Sequence, residues 1–310
     1  MLDIPTRTFS RSKGVHNVPL GALCDWVEAS ALFLDEEGVV DAAVVDALVE
    51  SGIYADQAFA WERVTNGWSE MRRRSRCEGQ DSGVEISQHS VRRRRGWEHF
   101  PAYSFCIILR LSELYPAWVA QFGSDYTEQG RLFEELTKAS LETLLPTWQV
   151  HLTGWSRRRT NKLAVVVKEV ASLLGEQVGN IRHWTKATAN EAGLDLVCYR
   201  PFPDGRVGVP VYLVQCASGR NWDQKLHTPN LDLWKKIITF AASPRKGFAT
   251  PFPLAEDDFP RKCTLVDGMV IDRHRLLSAG RHNRSWIPSS LRHDLIQWLG
   301  PRISALPRLA

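Results

Sequence analysis

Two polar residues of this sequence stand where polar residues are costly. Asp195 lies in the run Gly193-Leu194-Asp195-Leu196-Val197-Cys198, and Gln215 follows Tyr212-Leu213-Val214. An ionised carboxylate among apolar neighbours wants a hydrogen-bond donor, a cation or a metal, and a buried amide raises the same demand. Between them Pro201-Phe202-Pro203-Asp204-Gly205-Arg206 has the composition of a turn, so two strands are expected to pair across it. With the turn centred on Gly205, facing residues have numbers summing to about 410, which sets Asp195 opposite Gln215 at the open end of the hairpin. A hard cation such as Mg²⁺ binds a few carboxylate and carbonyl oxygens and keeps several waters; in phosphodiester hydrolysis it activates a water and stabilises the developing negative charge. Glu134, next to Phe133 on a helix, is the candidate third oxygen donor, with Glu135 as the neighbouring alternative.

The elements that must position these groups are legible as periodicities. Leu132, Phe133, Leu136 and Leu144 supply the apolar face of a helix that Ser124 and Asp125 can cap, with Glu128 three residues on, and that Pro146 stops. A short strand around Val150, Leu152 and Trp155 and a helix over Asn161–Leu174 follow. From Gly193 the period becomes two: Leu194, Leu196 and Cys198 alternate with Asp195, Val197 and Tyr199, and Val209–Ala217 makes the second strand. A helix over Leu231–Ala242, a strand around Phe248–Phe252, a hairpin at Asp267-Gly268 and a last helix over Ser290–Leu299 complete the expectation. Upstream, Leu20 to Arg74 is helical in pattern, Cys77 to Ser90 reads as a polar, mobile surface loop, and Phe100 to Val119 is a second apolar block.

Three short segments together resemble a known family. Gly130-Arg131-Leu132-Phe133-Glu134 resembles the Gly-x-x-Phe-Glu helix that opens many nuclease domains of the PD-(D/E)xK restriction-endonuclease superfamily, Mrr-like restriction enzymes included. Gly193-Leu194-Asp195 resembles their Gly-x-Asp strand start, and Gln215-Cys216-Ala217 stands where Glu/Gln-x-Lys is expected. Order and spacing agree over Gly123 to Arg275. The resemblance implies cleavage of nucleic-acid phosphodiesters with Mg²⁺ or Mn²⁺, with Glu134 and Asp195 as metal ligands and Gln215 completing the shell. It departs at Ala217, where the family places a lysine that orients the attacking water. Members of the fold sometimes carry that lysine on the following helix, which nominates Lys225 in Asn221-Trp222-Asp223-Gln224-Lys225-Leu226. The fold it implies is α/β (α+β): a central mixed sheet flanked by helices over residues 119–310, behind a mainly helical N-terminal domain over 1–118.

Composition sets the outer limits. A chain of 310 residues, 44% hydrophobic, can bury a substantial core. No apolar run approaches the roughly 20 residues of a membrane span, and Met1 to Arg11 lacks the apolar stretch of a signal peptide, so a cytoplasmic protein without membrane contact is expected. Six scattered cysteines form no zinc spacing and read as reduced thiols, and no Gly-x-x-x-x-Gly-Lys-Ser/Thr or Gly-x-Gly-x-x-Gly run suggests a nucleotide cofactor. The formal charge is only +4, but the arginines cluster: Arg72, Arg73, Arg74 and Arg76, then Arg92, Arg93, Arg94 and Arg95, then Arg157, Arg158 and Arg159. Such runs are candidates for binding a polyanion, double-stranded DNA first, against the plainer reading of solvated faces. Asp272-Arg273-His274-Arg275 reads as a structural ion-pair group in preference to a phosphate contact. His274, His282 and His293 offer no metal-ligand pattern.

Two functions from different classes follow. The first is a metal-dependent endonuclease, acting on DNA in restriction or anti-phage defence, with partner subunits of a defence system as candidate partners and the N-terminal domain as the nucleic-acid or partner binder. The second is a module that keeps the nuclease fold without catalysis, as a nucleic-acid-binding or scaffold subunit. Each group also has a plainer use: Glu134 as a helix-surface acid, Asp195 as a turn residue, Gln215 as a partner for adjacent backbone, Lys225 as a solvent-facing lysine.

Overall fold

The computed structural model describes residues 1–5, 8–9, 18–34, 38–122, 126–153, 162–185 and 192–308. The chain divides into two compact units, residues 1–124 with 289–310, and residues 125–288.

The first unit is built around α1 (Leu20–Phe33), in which every residue from Ala22 to Phe33 is buried. A helix apolar on nearly all sides must be enclosed. Around it come β1 (Val39–Val40), α2 (Asp41–Glu50), α3 (Gln57–Glu78), β2 (Val84–Ile86), β3 (Ser90–Arg93), α4 (Pro101–Leu114) and α5 (Pro116–Ala120). The three strands form an antiparallel sheet in the order β1-β3-β2. The segment expected to be a mobile loop, Cys77 to Ser90, is therefore structured: it finishes α3, makes one tight turn and enters β2. Its few apolar residues suffice because they pair with a partner strand. Val84 and Val91 are buried, and Gly83 lies so close to Leu32 and Tyr103 that a Cβ there would come within 2.9 Å of both.

The second unit contains α6 (Tyr126–Leu144), β4 (Gln149–Leu152), α7 (Leu163–Leu174), β5 (Gln177–Val178), α8 (Ile181–Trp184), β6 (Leu196–Tyr199), β7 (Val211–Cys216), α9 (Leu231–Ile237), β8 (Ile238–Thr239), β9 (Arg245–Ala249), α10 (Phe259–Val266), β10 (Gly268–Ile271) and α11 (Arg273–Leu277). Its main sheet has the order β10-β9-β7-β6-β4. β6 pairs antiparallel with both β4 and β7, whereas β7, β9 and β10 are mutually parallel, so the central sheet is mixed. Leu163, Val166, Val167 and Val170 of α7 and Trp234 and Ile237 of α9 bury Val197, Tyr199, Val211 and Leu213. Alternation places those four on one face of the hairpin, and α6 packs on β4 and β7 from its own side of the unit.

The β6–β7 register is the expected one: Leu196 pairs with Val214, Val197 with Leu213, Cys198 with Tyr212 and Tyr199 with Val211. Three local expectations change. The helix from Leu231 stops at Ile237, because Ile238 turns extended and pairs with β5. The strand expected near Phe248–Phe252 starts earlier, at Arg245. Asp267-Gly268 is no hairpin: Asp267, at φ 53°, closes α10, and Gly268 opens a strand parallel to β9. A bare Cα is required there, since a Cβ would lie 2.0 Å from the Lys246 carbonyl oxygen. The last helix, α12 (Ser289–Ser304), read from the sequence with the second domain, belongs to the first unit, where it packs on α4 with the Phe105 and Trp298 rings 5.1 Å apart.

Candidate functional site

Asp195 sits one residue before β6, yet its backbone is already part of the sheet. Its N–H donates to the Val214 carbonyl at 3.0 Å and its carbonyl accepts from Thr153 N–H at 2.9 Å, while the Thr153 hydroxyl donates to the Leu194 carbonyl at 2.8 Å. The chain enters this position through Gly193 at φ +65°, a conformation that favours glycine, and a Cβ there would also lie 2.9 Å from Thr228 Cβ. The backbone that carries the carboxylate is thus hydrogen-bonded on both sides.

Asp195 is 6% exposed and Gln215 7%. Asp195 Oδ2 accepts from Gln215 Nε2 at 2.5 Å and from the Cys216 N–H at 2.6 Å. Gln215 Nε2 also donates to the Cys216 carbonyl at 3.0 Å, so the plainer use of Gln215, satisfying adjacent backbone, operates beside its contact with Asp195.

Glu134 approaches from α6. Its Oε1 lies 4.0 Å from where a Cβ on Gly130 would be, so the side chain folds back along the helix over the bare Gly130; this is what the Gly-x-x-x-Glu spacing accomplishes. Burial holds the Cys216 thiol far above its usual range; the Asp195 and Glu134 carboxylates push it the same way, and a hydrogen bond with Thr137 works against them. Both carboxylates therefore act on one atom at the end of β7. Two residues that sequence reasoning missed hold α6 to this strand end: Thr137, and Gln129, whose Nε2 donates to the Ser218 carbonyl at 2.9 Å and the Ser218 hydroxyl at 3.2 Å. Gln129, Phe133 and Thr137 recur every four residues, a stripe the sequence displays but whose polar members carry no apolar signal.

Lys225 ends a tight helical turn, Trp222–Lys225, and is half-buried. Its carbonyl accepts from the Thr228 N–H and hydroxyl at 2.9 and 2.6 Å, and Thr228 is the side chain that abuts Gly193. Ala217 is fully buried with Leu226, Phe248, Leu254, Val266 and Val270, so the position at which the resemblance would place a lysine is filled core.

Two carboxylates and an amide oxygen are hard donors of the kind a Mg²⁺ or Mn²⁺ ion takes with water completing its shell, and in that sense the residues fit such an ion. Among the described residues no three His, Cys, Asp or Glu side chains are grouped for a metal, so the third donor has to be the Gln215 amide or a backbone oxygen.

The arginine runs separate into distinct kinds. Arg74 is a correction: it is buried, bonded to Asp25 at 2.9 Å, Glu28 at 3.4 Å and Glu70 at 3.1 Å, and presents nothing to a polyanion. Arg73 is paired with Glu70 at 2.7 Å, and Arg72 donates to the Ser87 and Gln88 carbonyls. Arg92 and Arg94 are exposed on or beside β3, and Arg93 is half-buried. Arg157, Arg158 and Arg159 lie outside the described residues, as do Ser124, Asp125, Trp155 and Asn161. Asp272 caps α11 by accepting from the Arg275 N–H at 3.0 Å and also accepts from the Leu254 N–H at 3.2 Å; Arg275 donates to the Val270 carbonyl and stacks on Phe259. Asp272 and Arg275 thus serve the local fold through hydrogen bonds and a ring contact, where an ion pair was expected.

All six cysteines are free thiols. No helix among the described residues is long and apolar enough to cross a membrane. The chain matches no family model, no curated protein and no solved structure.

Proposed function

We propose that the second unit is a PD-(D/E)xK-like nuclease domain, hydrolysing nucleic-acid phosphodiesters, of DNA first, with Mg²⁺ or Mn²⁺, in the cytoplasmic setting of restriction or anti-phage defence. The observation that carries this reading is the pairing of buried Asp195 with Gln215 at the open end of a central hairpin, with the Glu134 carboxylate brought to the same strand end by α6. Asp195 and Glu134 are the residues that would hold the ion, and the Gln215 amide oxygen would complete the protein's share. The ion would supply water activation and charge neutralisation at the phosphate. Asp195 serves this purpose because its backbone is held by Val214 of β7 on one side and by Thr153, just past β4, on the other, which fixes where its side chain starts. Lys225 is the chain's candidate for orienting the attacking water. The exposed arginines Arg92 and Arg94 would supply backbone affinity for duplex DNA, and that affinity would fall steeply with salt.

One observation favours a second reading. Ala217 is sealed in an apolar cluster, so the lysine of the third motif has no opening at its usual place. If Lys225 does not replace it, the unit is a nuclease-fold module that binds nucleic acid or a partner subunit without cutting.

The two separate in one assay: supercoiled plasmid, linear duplex and single strands incubated with the purified chain in Mg²⁺, Mn²⁺ or EDTA. Metal-dependent cutting lost in Lys225→Ala supports the enzyme with a migrated lysine. Salt-sensitive binding without cutting supports the module.

A further inference from the structure

The contacts of the Gln215 amide fix which way round it sits. Nε2 lies 2.5 Å from Asp195 Oδ2 and 3.0 Å from the Cys216 carbonyl oxygen, both acceptors. Oε1 points toward Gly193, 3.0 Å from where a Cβ on that glycine would be. Turned over, the amide would set its oxygen against two other oxygens, so the hydrogen bonding itself selects this orientation. A divalent ion at Asp195 needs the opposite arrangement, with an oxygen beside the carboxylate and no N–H between them.

We propose that Gln215 is the stand-in for the divalent cation: in the ion-free chain its N–H group satisfies buried Asp195, and the ion enters only when the amide makes a half-turn that withdraws Nε2 and presents Oε1. Gln215 thereby sets the affinity of the site for the ion. The inference rests on Asp195 being the metal-site carboxylate.

The physical case has three parts. First, Asp195 is 6% exposed, and a carboxylate that far from water has to be hydrogen-bonded for the fold to stand without the ion; the amide and the Cys216 N–H do this. Second, a carboxylate at position 215 would set like charges against each other in the ion-free chain, which the neutral amide avoids. Third, the ion must break a buried, charge-assisted hydrogen bond and receives only a neutral oxygen in return, so binding is weaker than a second acid would make it. Gly193 belongs to the same device, because its missing side chain leaves the space into which the displaced amide nitrogen turns.

The test uses the full chain as wild type, as Gln215→Glu and as the double variant Gln215→Glu with Asp195→Asn. Mn²⁺ is titrated calorimetrically, and melting is followed in EDTA and in Mn²⁺. Gln215→Glu is expected to melt below wild type in EDTA, to be raised by Mn²⁺ more than wild type is, and to bind Mn²⁺ about tenfold or more tightly; the double variant loses that gain. Equal affinities for wild type and Gln215→Glu, or a gain that survives in the double variant, overturn the proposal. If Gln215→Glu does not fold in EDTA, refolding with and without Mn²⁺ decides: recovery with Mn²⁺ alone supports it, and no recovery in either overturns it. The result is separable from the nuclease reading. A gain of Mn²⁺ affinity in a chain whose wild type cuts nothing upholds the inference and makes the unit a non-cutting module; cutting by wild type with no gain in Gln215→Glu upholds the nuclease and overturns the inference.

Discussion

Each unit buries acidic side chains, and they are treated differently. In the first, Asp25 and Glu28 on α1 meet Arg74 from α3, and Asp25 also takes Arg110 Nε from α4 at 2.6 Å. Charge is matched by permanent guanidinium charge: burial alone would lower the Arg74 pKa, but the neighbouring Cys24, Glu28, Asp25 and Glu70 outweigh it and keep Arg74 protonated well beyond its usual range. In the second, Asp195 takes an amide N–H and a backbone N–H. A carboxylate locked to arginine cannot exchange its partner without unfolding something, whereas an amide donor can turn away from a carboxylate without moving the backbone. Burial of an acid is therefore no guide to function by itself; the charge state of what holds it is.

The contrast can be broken at several strengths. Arg74→Met should be the most damaging change: it leaves Asp25 and Glu28 buried without their main counter-charge, at a cost of about 3–5 kcal/mol in denaturant unfolding. A loss below about 1 kcal/mol would mean that water or Arg110 compensates the pair. Asp195→Ala should cost less, about 1–3 kcal/mol for the orphaned Gln215 and Cys216 donors, while removing all metal-dependent cleavage. Gly193→Ala forces a left-handed residue against Thr228 and should cost about 1–2 kcal/mol, with metal affinity falling alongside it in the same Mn²⁺ titration. Arg92→Ala and Arg94→Ala should change stability by less than about 0.5 kcal/mol yet flatten the salt dependence of duplex binding, while Arg73→Ala leaves that slope unchanged.

The first unit should also carry an acid limb. Burial alone would raise Glu70, but hydrogen bonds and charge from Arg73 and Arg74 outweigh it and hold the carboxyl below its ordinary range. A depressed folded-state pKa gives stability that is present above the unfolded-state value and lost as pH falls through the folded one. Melting temperature should thus drop on acidification through and below the usual carboxylate range, and Glu70→Gln should remove part of that drop. An unchanged acid limb in the variant would place the sensitivity in other carboxylates.

What could be read without coordinates was local. The β6–β7 register followed from a turn-forming hexapeptide and period-two alternation, and the Gly-x-x-x-Glu helix from its spacing. What escaped depended on partners distant in sequence. Val84 and Ile86 become a strand because β3 and the α1 surface meet them, and the α12 pattern does not say which core receives it. Arg74 was foreseeable: Val64, Gly67, Trp68 and Met71 form the buried stripe of α3, and Arg74 lies three residues beyond Met71 on it. Treating the run as one basic cluster hid that periodicity. Gln129 and Thr137 were invisible for the converse reason, being polar residues on a buried face.

The most direct test of the metal-site reading is single-turnover cleavage of supercoiled plasmid in Mn²⁺ by wild type and Asp195→Asn, with circular dichroism confirming equal folding. The amide keeps the shape of the side chain and removes its charge, so the account predicts cutting by wild type and none by the variant. Cutting by Asp195→Asn at the wild-type rate would contradict it and move the chemistry, if any, away from the open end of the hairpin.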